Sequence, residues 1–150
     1  MCRVTSDMKT DNAPNSSDRL ESFGIYQLAC QLFDDFWLDS EILGKDYRSR
    51  ELVKQQIPRL DSICANIEEG YGRGFGKELP QHLKIARGEA RESPGRYERC
   101  SHLLSPELIT QRTATLSRII GGLTKTIQTT ETRPREKFMS PVTRHLSPLK

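Results

Sequence analysis

The chain has 150 residues, of which 35% are hydrophobic and 29% are charged, and its formal net charge is +3. This length suffices for one domain with a real core, and no apolar run approaches the roughly 20 residues that span a bilayer. The N-terminus lacks the apolar segment of a signal peptide, so we predict a cytoplasmic protein that does not enter a membrane.

The net charge comes from the C-terminal tail. Residues 1–19 and 20–130 each balance their basic and acidic residues, whereas residues 131–150 contain five basic residues against two acidic ones. Both ends are polar and lack periodicity, so we expect disorder over 1–19 and 131–150 and one folded domain over 20–130. Because this domain is neutral, any affinity for nucleic acid must come from a local patch or from the tail.

The first predicted helix carries the clearest periodic pattern. From Ile25 to Trp37, apolar residues recur at helical spacing, which is typical of an amphipathic helix with one buried face. We predict that Phe36 and Trp37 belong to the core. The acidic residues are assigned to the polar side of this helix: Asp34, Asp35 and Asp39.

The second and third predicted helices both contain a proline. Helix two is expected over residues 47–69 with a bend near Pro58, because an interior proline removes a backbone hydrogen bond and clashes with the preceding turn. Helix three is expected to begin near Lys77. We expect Pro94 and Gly95 to kink or break it.

The fourth helix has a clear start. Ser105 is a natural N-cap and Pro106 a natural first helical residue. Four amphipathic helices with short connections predict an all-α fold, an antiparallel up-down-up-down four-helix bundle with disordered N- and C-terminal tails.

The cysteines and histidines give no sign of a metal site or a catalytic centre. The four cysteines are scattered and form no CxxC pair, so we expect free thiols that pack as small apolar residues. No histidine or nucleophile accompanies the acidic residues near the glycines. We therefore predict a non-catalytic protein without metal or cofactor.

Residues 62–77 read SICANIEEGYGRGFGK, with glycine at every second position from Gly70 to Gly76. The spacing fits neither a dinucleotide fingerprint nor a phosphate-binding loop of the Walker type. We expect the glycines to form the connector between two helices. Glu68 and Glu69 oppose the helix dipole there and need a partner, for which Arg73 or Arg87 is in reach.

Two motifs carry a resemblance to a known family. Residues 62–73 fit a pattern S-I-x-x-N-I-x-E-G-x-G-R, residues 83–92 fit L-x-I-A-R-G-x-x-x-E, and residues 23–29 fit F-x-x-Y-Q-x-A. The sequence thereby resembles the four-helix bundle proteins of the 23S rRNA intervening-sequence family over roughly residues 22–128. The resemblance singles out a motif polar cluster of Asn66, Glu69, Gly70, Arg73, Arg87 and Glu92.

The resemblance implies a bundle that assembles as a homo-oligomer, a pentamer, with no established biochemical activity. A related bundle is the accessory variability determinant of diversity-generating retroelements, which binds nucleic acid and a reverse transcriptase. This sequence departs from the family pattern at Glu68 and Glu89, which add negative charge beside the cluster, and at Pro58 and Pro94, which interrupt helices.

One sector of the third helix is basic. A helical wheel groups Lys77, Lys84, Arg87 and Arg91, with Arg73 nearby, as a candidate nucleic-acid or interface surface. This sector could contact RNA phosphates, remain a solvated face, or meet the acidic residues of helix one in a neighbouring subunit. Two functions follow: an RNA- or ribonucleoprotein-associated accessory factor, or a structural scaffold with no nucleic-acid role, its charged faces used in subunit assembly.

Overall fold

The computed structural model describes residues 23–72 and 78–132. Within these ranges the chain forms no strand and four α-helices, α1 (Gly24–Leu43), α2 (Arg50–Gly72), α3 (Glu78–Arg99) and α4 (Pro106–Thr132). A short 3₁₀ turn (Cys100–His102) separates α3 from α4. The predicted disordered N-terminal end, residues 73–77 of the glycine stretch and residues 133–150 lie outside the described residues. Disorder was also expected at Glu131 and Thr132, but these are the last two residues of α4.

Neighbouring helices run in opposite directions. Asn66 near the end of α2 faces His82 near the start of α3, whereas Arg59, earlier in α2, contacts Glu89, later in α3. Contacts with α4 follow the same rule: Lys84–Glu131 and Arg87–Thr124 from α3, and Ile25–Gly122 and Asp39–Arg112 from α1. The predicted antiparallel four-helix bundle is confirmed.

The core lies where the apolar stripes of the four helices meet. Along α3 and into the 3₁₀ turn, the apolar residues at helical spacing are buried: Leu79, Leu83, Ala86, Ala90, Tyr97 and Cys100. Tyr97 packs edge-on against Phe36 of α1, with ring centroids 5.5 Å apart, an arrangement that aromatic pairs prefer. Cys30, Cys64 and Cys100 are buried thiols outside any disulfide, as expected.

Trp37 does not join this core. Its side chain is 56% exposed, and the prediction that it is buried is wrong. At about 100° per residue, Trp37 lies about 100° around the helix from the buried Phe36 and about 120° from the buried Leu43, so it lies off the line of side chains that enter the core from the C-terminal half of α1. It packs instead on Phe33 of its own helix, with ring centroids 6.2 Å apart.

The prolines do not break the helices. Pro58 lies inside α2 and Pro94 inside α3, and each helix continues through its proline as a single element. The expected break at Pro94 and Gly95 is therefore absent. The buried hydroxyl of Ser93 donates a 3.0 Å hydrogen bond to the carbonyl of Glu89, one turn earlier.

The end of α2 contains two of the glycines, and a serine caps the start of α4. Gly70 and Gly72 were expected in the connector, but both belong to α2, which ends at Gly72. The start of α4 is as predicted, because the Leu108 amide donates to Ser105 Oγ at 3.2 Å and Pro106 is the first helical residue.

Candidate functional site

Asn66, the first residue of the predicted polar cluster, joins α2 to α3. Its Nδ2 donates to the Ser62 carbonyl at 2.8 Å and to Ser62 Oγ at 3.1 Å. These bonds fix the amide so that Oδ1 lies 3.4 Å from Nδ1 of His82 on α3. No role for His82 was predicted from the sequence, because the contact between positions 66 and 82 forms only when the two helices fold back on each other.

Glu68 joins α2 to α1. The hydroxyl of Tyr26 donates a 2.7 Å hydrogen bond to Glu68 Oε1. Burial raises the pKa of Tyr26, and the hydrogen bond to Glu68 raises it further, so the phenol keeps its proton and remains a donor. Glu68, which departs from the family pattern, therefore has a partner in Tyr26, itself part of the first-helix motif.

Gly70 lies where α2 passes close to the first turn of α3. A Cβ atom placed on Gly70 would lie 3.1 Å from His82 Cβ and 3.1 Å from Leu79 Cδ1. The glycine thus serves helix packing, because any side chain here would be tight against α3 and would require its neighbours to move by a few tenths of an ångström. Glu69, the motif residue that precedes Gly70, is exposed.

The other motif residues have contacts elsewhere. Arg87 Nη1 donates to Thr124 Oγ1 of α4 at 3.3 Å, and Glu92 lies 3.2 Å from Arg59 of α2. The structure therefore brings together Asn66, Gly70 and His82, while Arg87 and Glu92 contact the two helices on either side of α3. Arg73 lies outside the described residues.

The charges on α3 are divided between its two neighbours. On the basic side, Lys84 forms an ion pair with Glu131 of α4, beside the Arg87–Thr124 bond. On the acidic side, Glu89 accepts a 2.7 Å hydrogen bond from Arg59 of α2. These contacts within one chain thus explain why the basic and the acidic residues lie on different sides of α3.

The remaining residues of the basic sector are Arg91 and Lys77. Arg91 is exposed and forms no ion pair with any residue in the ranges 23–72 and 78–132. Lys77 lies outside those ranges. Arg91 is therefore the exposed cation among the described members of the sector, whereas Arg87 is half-buried and keeps its charge beside the neutral hydroxyl of Thr124.

A buried polar layer crosses the bundle, and the sequence did not predict it. Asp39 on α1 is only 4% exposed and accepts hydrogen bonds from Arg112 on α4, from Nε at 2.8 Å and from Nη2 at 3.0 Å. Arg112 also donates to Asp35 at 3.4 Å. The expectation that Asp39 lies on a polar face, available to a neighbouring subunit, is wrong.

Gln56 on α2 and Tyr97 on α3 complete this layer, so that each helix contributes to it. Both are buried, and neither the Gln56 amide nor the Tyr97 hydroxyl makes a hydrogen bond to any described residue. Burial raises the pKa of Tyr97, and the Asp39 carboxylate adds to the effect. The arrangement lets Tyr97 stay neutral and leaves Arg112 as the partner of Asp39.

An exposed apolar face lies on the outer side of α1. Leu38 is 63% exposed and Ile42 is 45% exposed, and both follow the exposed Trp37. Leu38 and Ile42 are four residues apart and lie on the same side of the helix, whereas Trp37 lies about 100° away. We call Trp37, Leu38 and Ile42 the α1 apolar face.

Comparison with known protein families identifies the family of this chain. The family model described as 23S rRNA-intervening sequence protein matches residues 21–129. The chain belongs to this family. Neither a curated protein nor a solved structure matches it.

The region shared with the 23S rRNA-intervening sequence proteins covers nearly all of the bundle and ends before the basic tail, residues 131–150. It contains the Tyr26–Glu68 bond, the contacts of Asn66 and the buried Asp39–Arg112 pair. Within residues 23–72 and 78–132, no cluster of three or more His, Cys, Asp or Glu side chains could hold a metal ion. No helix in these ranges is long and apolar enough to cross a bilayer.

Proposed function

We propose that this member of the 23S rRNA-intervening sequence family is a non-catalytic, self-assembling structural protein. The observation that carries the proposal is the α1 apolar face: Trp37, Leu38 and Ile42. Single exposed apolar residues are common on protein surfaces. Three large ones within six residues of one helix are typical of a protein–protein contact, in which tryptophan is enriched.

The orientation of α1 supports this use of the face. Phe36 and Leu43 point into the core and Asp39 is held by Arg112 of α4, so α1 cannot rotate to bury Trp37 or Leu38 against the other helices of residues 23–72 and 78–132. In the proposed assembly a second molecule covers these side chains. Burial of apolar area on association would then stabilise the assembly.

The charges on α3 favour assembly over nucleic-acid binding. Lys84 has an ion pair within the chain, and Arg87 donates to Thr124. Fewer cations on this helix are thus available for phosphates than its sequence suggests. On the helical wheel Asp34 and Glu41 fall between Trp37 and Leu38 of the α1 apolar face, so a neighbour that presents cations such as Arg91 would match it in charge.

The oligomer in this proposal is a ring. An α1 face that meets a different surface of the next subunit forms a head-to-tail contact, and such contacts close into rings when the rotation allows. Five subunits is the number that the family resemblance implies.

Sedimentation velocity of the full chain tests the proposal. We expect the wild type to sediment as an oligomer and Leu38→Glu to sediment as a monomer, because a buried carboxylate would oppose the contact. The matched control is Ile85→Glu, since Ile85 is a large apolar residue that is 50% exposed on α3. Circular dichroism should show that both variants keep their helices.

Three results would refute the proposal. A monomeric wild type would do so, as would a Leu38→Glu variant that remains oligomeric. If Ile85→Glu dissociates while Leu38→Glu does not, the contact lies on α3 and the α1 assignment is wrong.

A second candidate function is that of an RNA- or ribonucleoprotein-associated accessory factor. It is favoured by the unpaired charge of Arg91 and by the segment that follows α4 after Thr132, which contains five basic residues and one acidic residue. RNA binding by the full chain should fall steeply between about 50 mM and about 200 mM salt if phosphate contacts carry it.

A pair of variants locates such binding. Arg91→Gln should weaken it, whereas Lys54→Gln, which removes an exposed cation from α2, should leave it nearly unchanged. No binding at the lower salt concentration would eliminate the RNA function. Equal effects of the two substitutions would mean that the third helix has no special role in it.

A further inference from the structure

A pocket opens at the end of the bundle where α1 passes into α2 and α3 into α4. It has a volume of about 260 Å³. Its deepest lining residues are Leu43, Ser49 and Cys100, all buried. The pocket is slightly smaller than the roughly 300–1,000 Å³ of typical small-molecule sites, so its size suits a small ligand.

The inner wall of this pocket is apolar. Leu52 and Leu103 line it together with the buried Leu43 and Cys100. Ser49 offers no free donor, because its single hydroxyl proton is directed at the carbonyls of Leu43 and Asp46. Burial raises the pKa of the Cys100 thiol to about 11, so at neutral pH Cys100 is a neutral, apolar part of the wall.

The mouth of the pocket carries positive charge. Arg48, Arg99 and His102 line it and are exposed. Asp46 is the acidic lining residue, and it already receives Arg48 Nη2 at 2.6 Å. Arg99 forms no ion pair with any residue in the described ranges. Two guanidinium groups against one carboxylate leave one net positive charge beside an apolar cavity.

We propose that this pocket binds a small organic monoanion, an aromatic or branched aliphatic carboxylate. The apolar body of the ligand lies against Leu43, Leu52 and Leu103, and its carboxylate lies at the mouth. Arg99 is the principal partner of the carboxylate. Its guanidinium rests near Gly95, and an exposed side chain changes rotamer within nanoseconds.

The chemistry of the lining selects this class of ligand over others. Inorganic phosphate would gain nothing from the leucines, and a neutral apolar molecule would gain nothing from Arg99. A dianion would have only one unpaired guanidinium, that of Arg99, to bind its two charges, and the Asp46 carboxylate would repel the second charge. The proposal does not depend on self-assembly, because the pocket lies within one chain.

Titration of the full-length protein with benzoate, followed by amide chemical shifts in NMR spectra, tests this site. We expect saturable shifts at Leu43, Leu52 and Leu103 with a dissociation constant in the millimolar range. Benzyl alcohol keeps the ring and lacks the charge, whereas acetate keeps the charge and lacks the ring. Both should bind more weakly than benzoate.

Two substitutions and a control complete the experiment. Arg99→Gln should weaken benzoate binding by about two- to fivefold, as expected for one solvent-exposed ion pair, and should leave benzyl alcohol binding unchanged. Leu103→Trp should block both ligands by filling the mouth. Arg118→Gln removes an exposed cation of α4 that does not line the pocket, and should change neither.

The proposal fails if benzoate shifts none of the pocket amides or if Leu103→Trp leaves benzoate binding intact. If benzyl alcohol binds as well as benzoate, or if Arg99→Gln has no effect, the anionic class is wrong. Because no variant touches the α1 apolar face, the result is independent of the proposed assembly.

Discussion

Arg112 of α4 donates two hydrogen bonds to Asp39 of α1, and this pair joins the first and last helices of the bundle inside its core. The bonds measure 2.8 Å and 3.0 Å, and the hydrogen bond to Asp39 raises the pKa of Arg112. The Arg112 side chain is 14% exposed. Removing water from two charges is costly, so the pair contributes more to the register of the helices than to net stability.

Removing one member of this pair should be more harmful than removing both. Arg112→Met leaves Asp39 charged and buried, and we expect a loss of about 3 kcal/mol in the free energy of unfolding, at the lower end of what breaking a buried pair costs. The double variant Asp39→Leu/Arg112→Met should lie within about 1 kcal/mol of the wild type. Urea unfolding at one fixed protein concentration measures all three proteins.

Arg118→Met serves as the control for this experiment. Arg118 is exposed on the same helix, so its substitution should change stability by less than about 0.5 kcal/mol. A double variant that is less stable than Arg112→Met would show that Asp39 has a structural role beyond its pairing with Arg112.

The neighbouring glycines Gly121 and Gly122 of α4 should respond to alanine in opposite directions. A Cβ atom on Gly122 would overlap the Ile25 side chain of α1, whereas one on Gly121 would have no atom within 4 Å. Gly121→Ala should raise the free energy of unfolding by about 0.5–1 kcal/mol, since alanine favours the helix. Gly122→Ala should lower it by about 1–3 kcal/mol through overpacking.

Thermal unfolding monitored by circular dichroism measures both substitutions. If Gly122→Ala is as stable as Gly121→Ala, α1 does not approach α4 at this point.

The hydrogen bond between Tyr26 and Glu68 should be measurable by a double-mutant cycle. Tyr26→Phe removes the donor and Glu68→Ala removes the acceptor, and each should cost about 0.5–1 kcal/mol because Glu68 is exposed and can be hydrated. The double variant should cost less than the sum of the single ones. Strict additivity in urea unfolding would mean that the bond contributes nothing to stability.

The sequence was sufficient for the architecture because period and capping are local signals. The inward residues of α3 repeat at helical spacing, and Ser105 with Pro106 defines the start of α4. Neither signal depends on which helices become neighbours. The same is true of Cys30, Cys64 and Cys100, whose burial follows from their places in apolar stripes.

The buried polar layer was not predicted because charged residues were expected at the surface, whatever their position on the helix. Asp39 follows Leu32 by seven residues and Phe36 by three, so it falls within the apolar stripe of α1. Arg112 precedes the buried Leu116 by four residues in the same way. A charged residue at a core position of each helix is a signal for a buried pair, although only the fold shows that the two positions meet.

Raising the pH should weaken the bundle through Cys100. Its thiol has a pKa of about 11 in the folded chain against an ordinary value of 9.0, because of burial and, to a smaller degree, the Asp39 carboxylate. The unfolded chain therefore releases this proton first. The stabilising contribution of the neutral thiol is complete below pH 9 and is lost as the pH rises toward 11.

Urea unfolding of the wild type and of Cys100→Ala across this range tests the effect. The substitution lowers stability at every pH by leaving a cavity, so the informative quantity is the slope of the free energy of unfolding against pH. We expect the free energy of unfolding of the two proteins to change with pH at the same rate below pH 9. Above pH 9, that of the wild type should fall more steeply. Equal slopes up to pH 11 would mean that the thiol at position 100 titrates normally and that water reaches it from the pocket it lines.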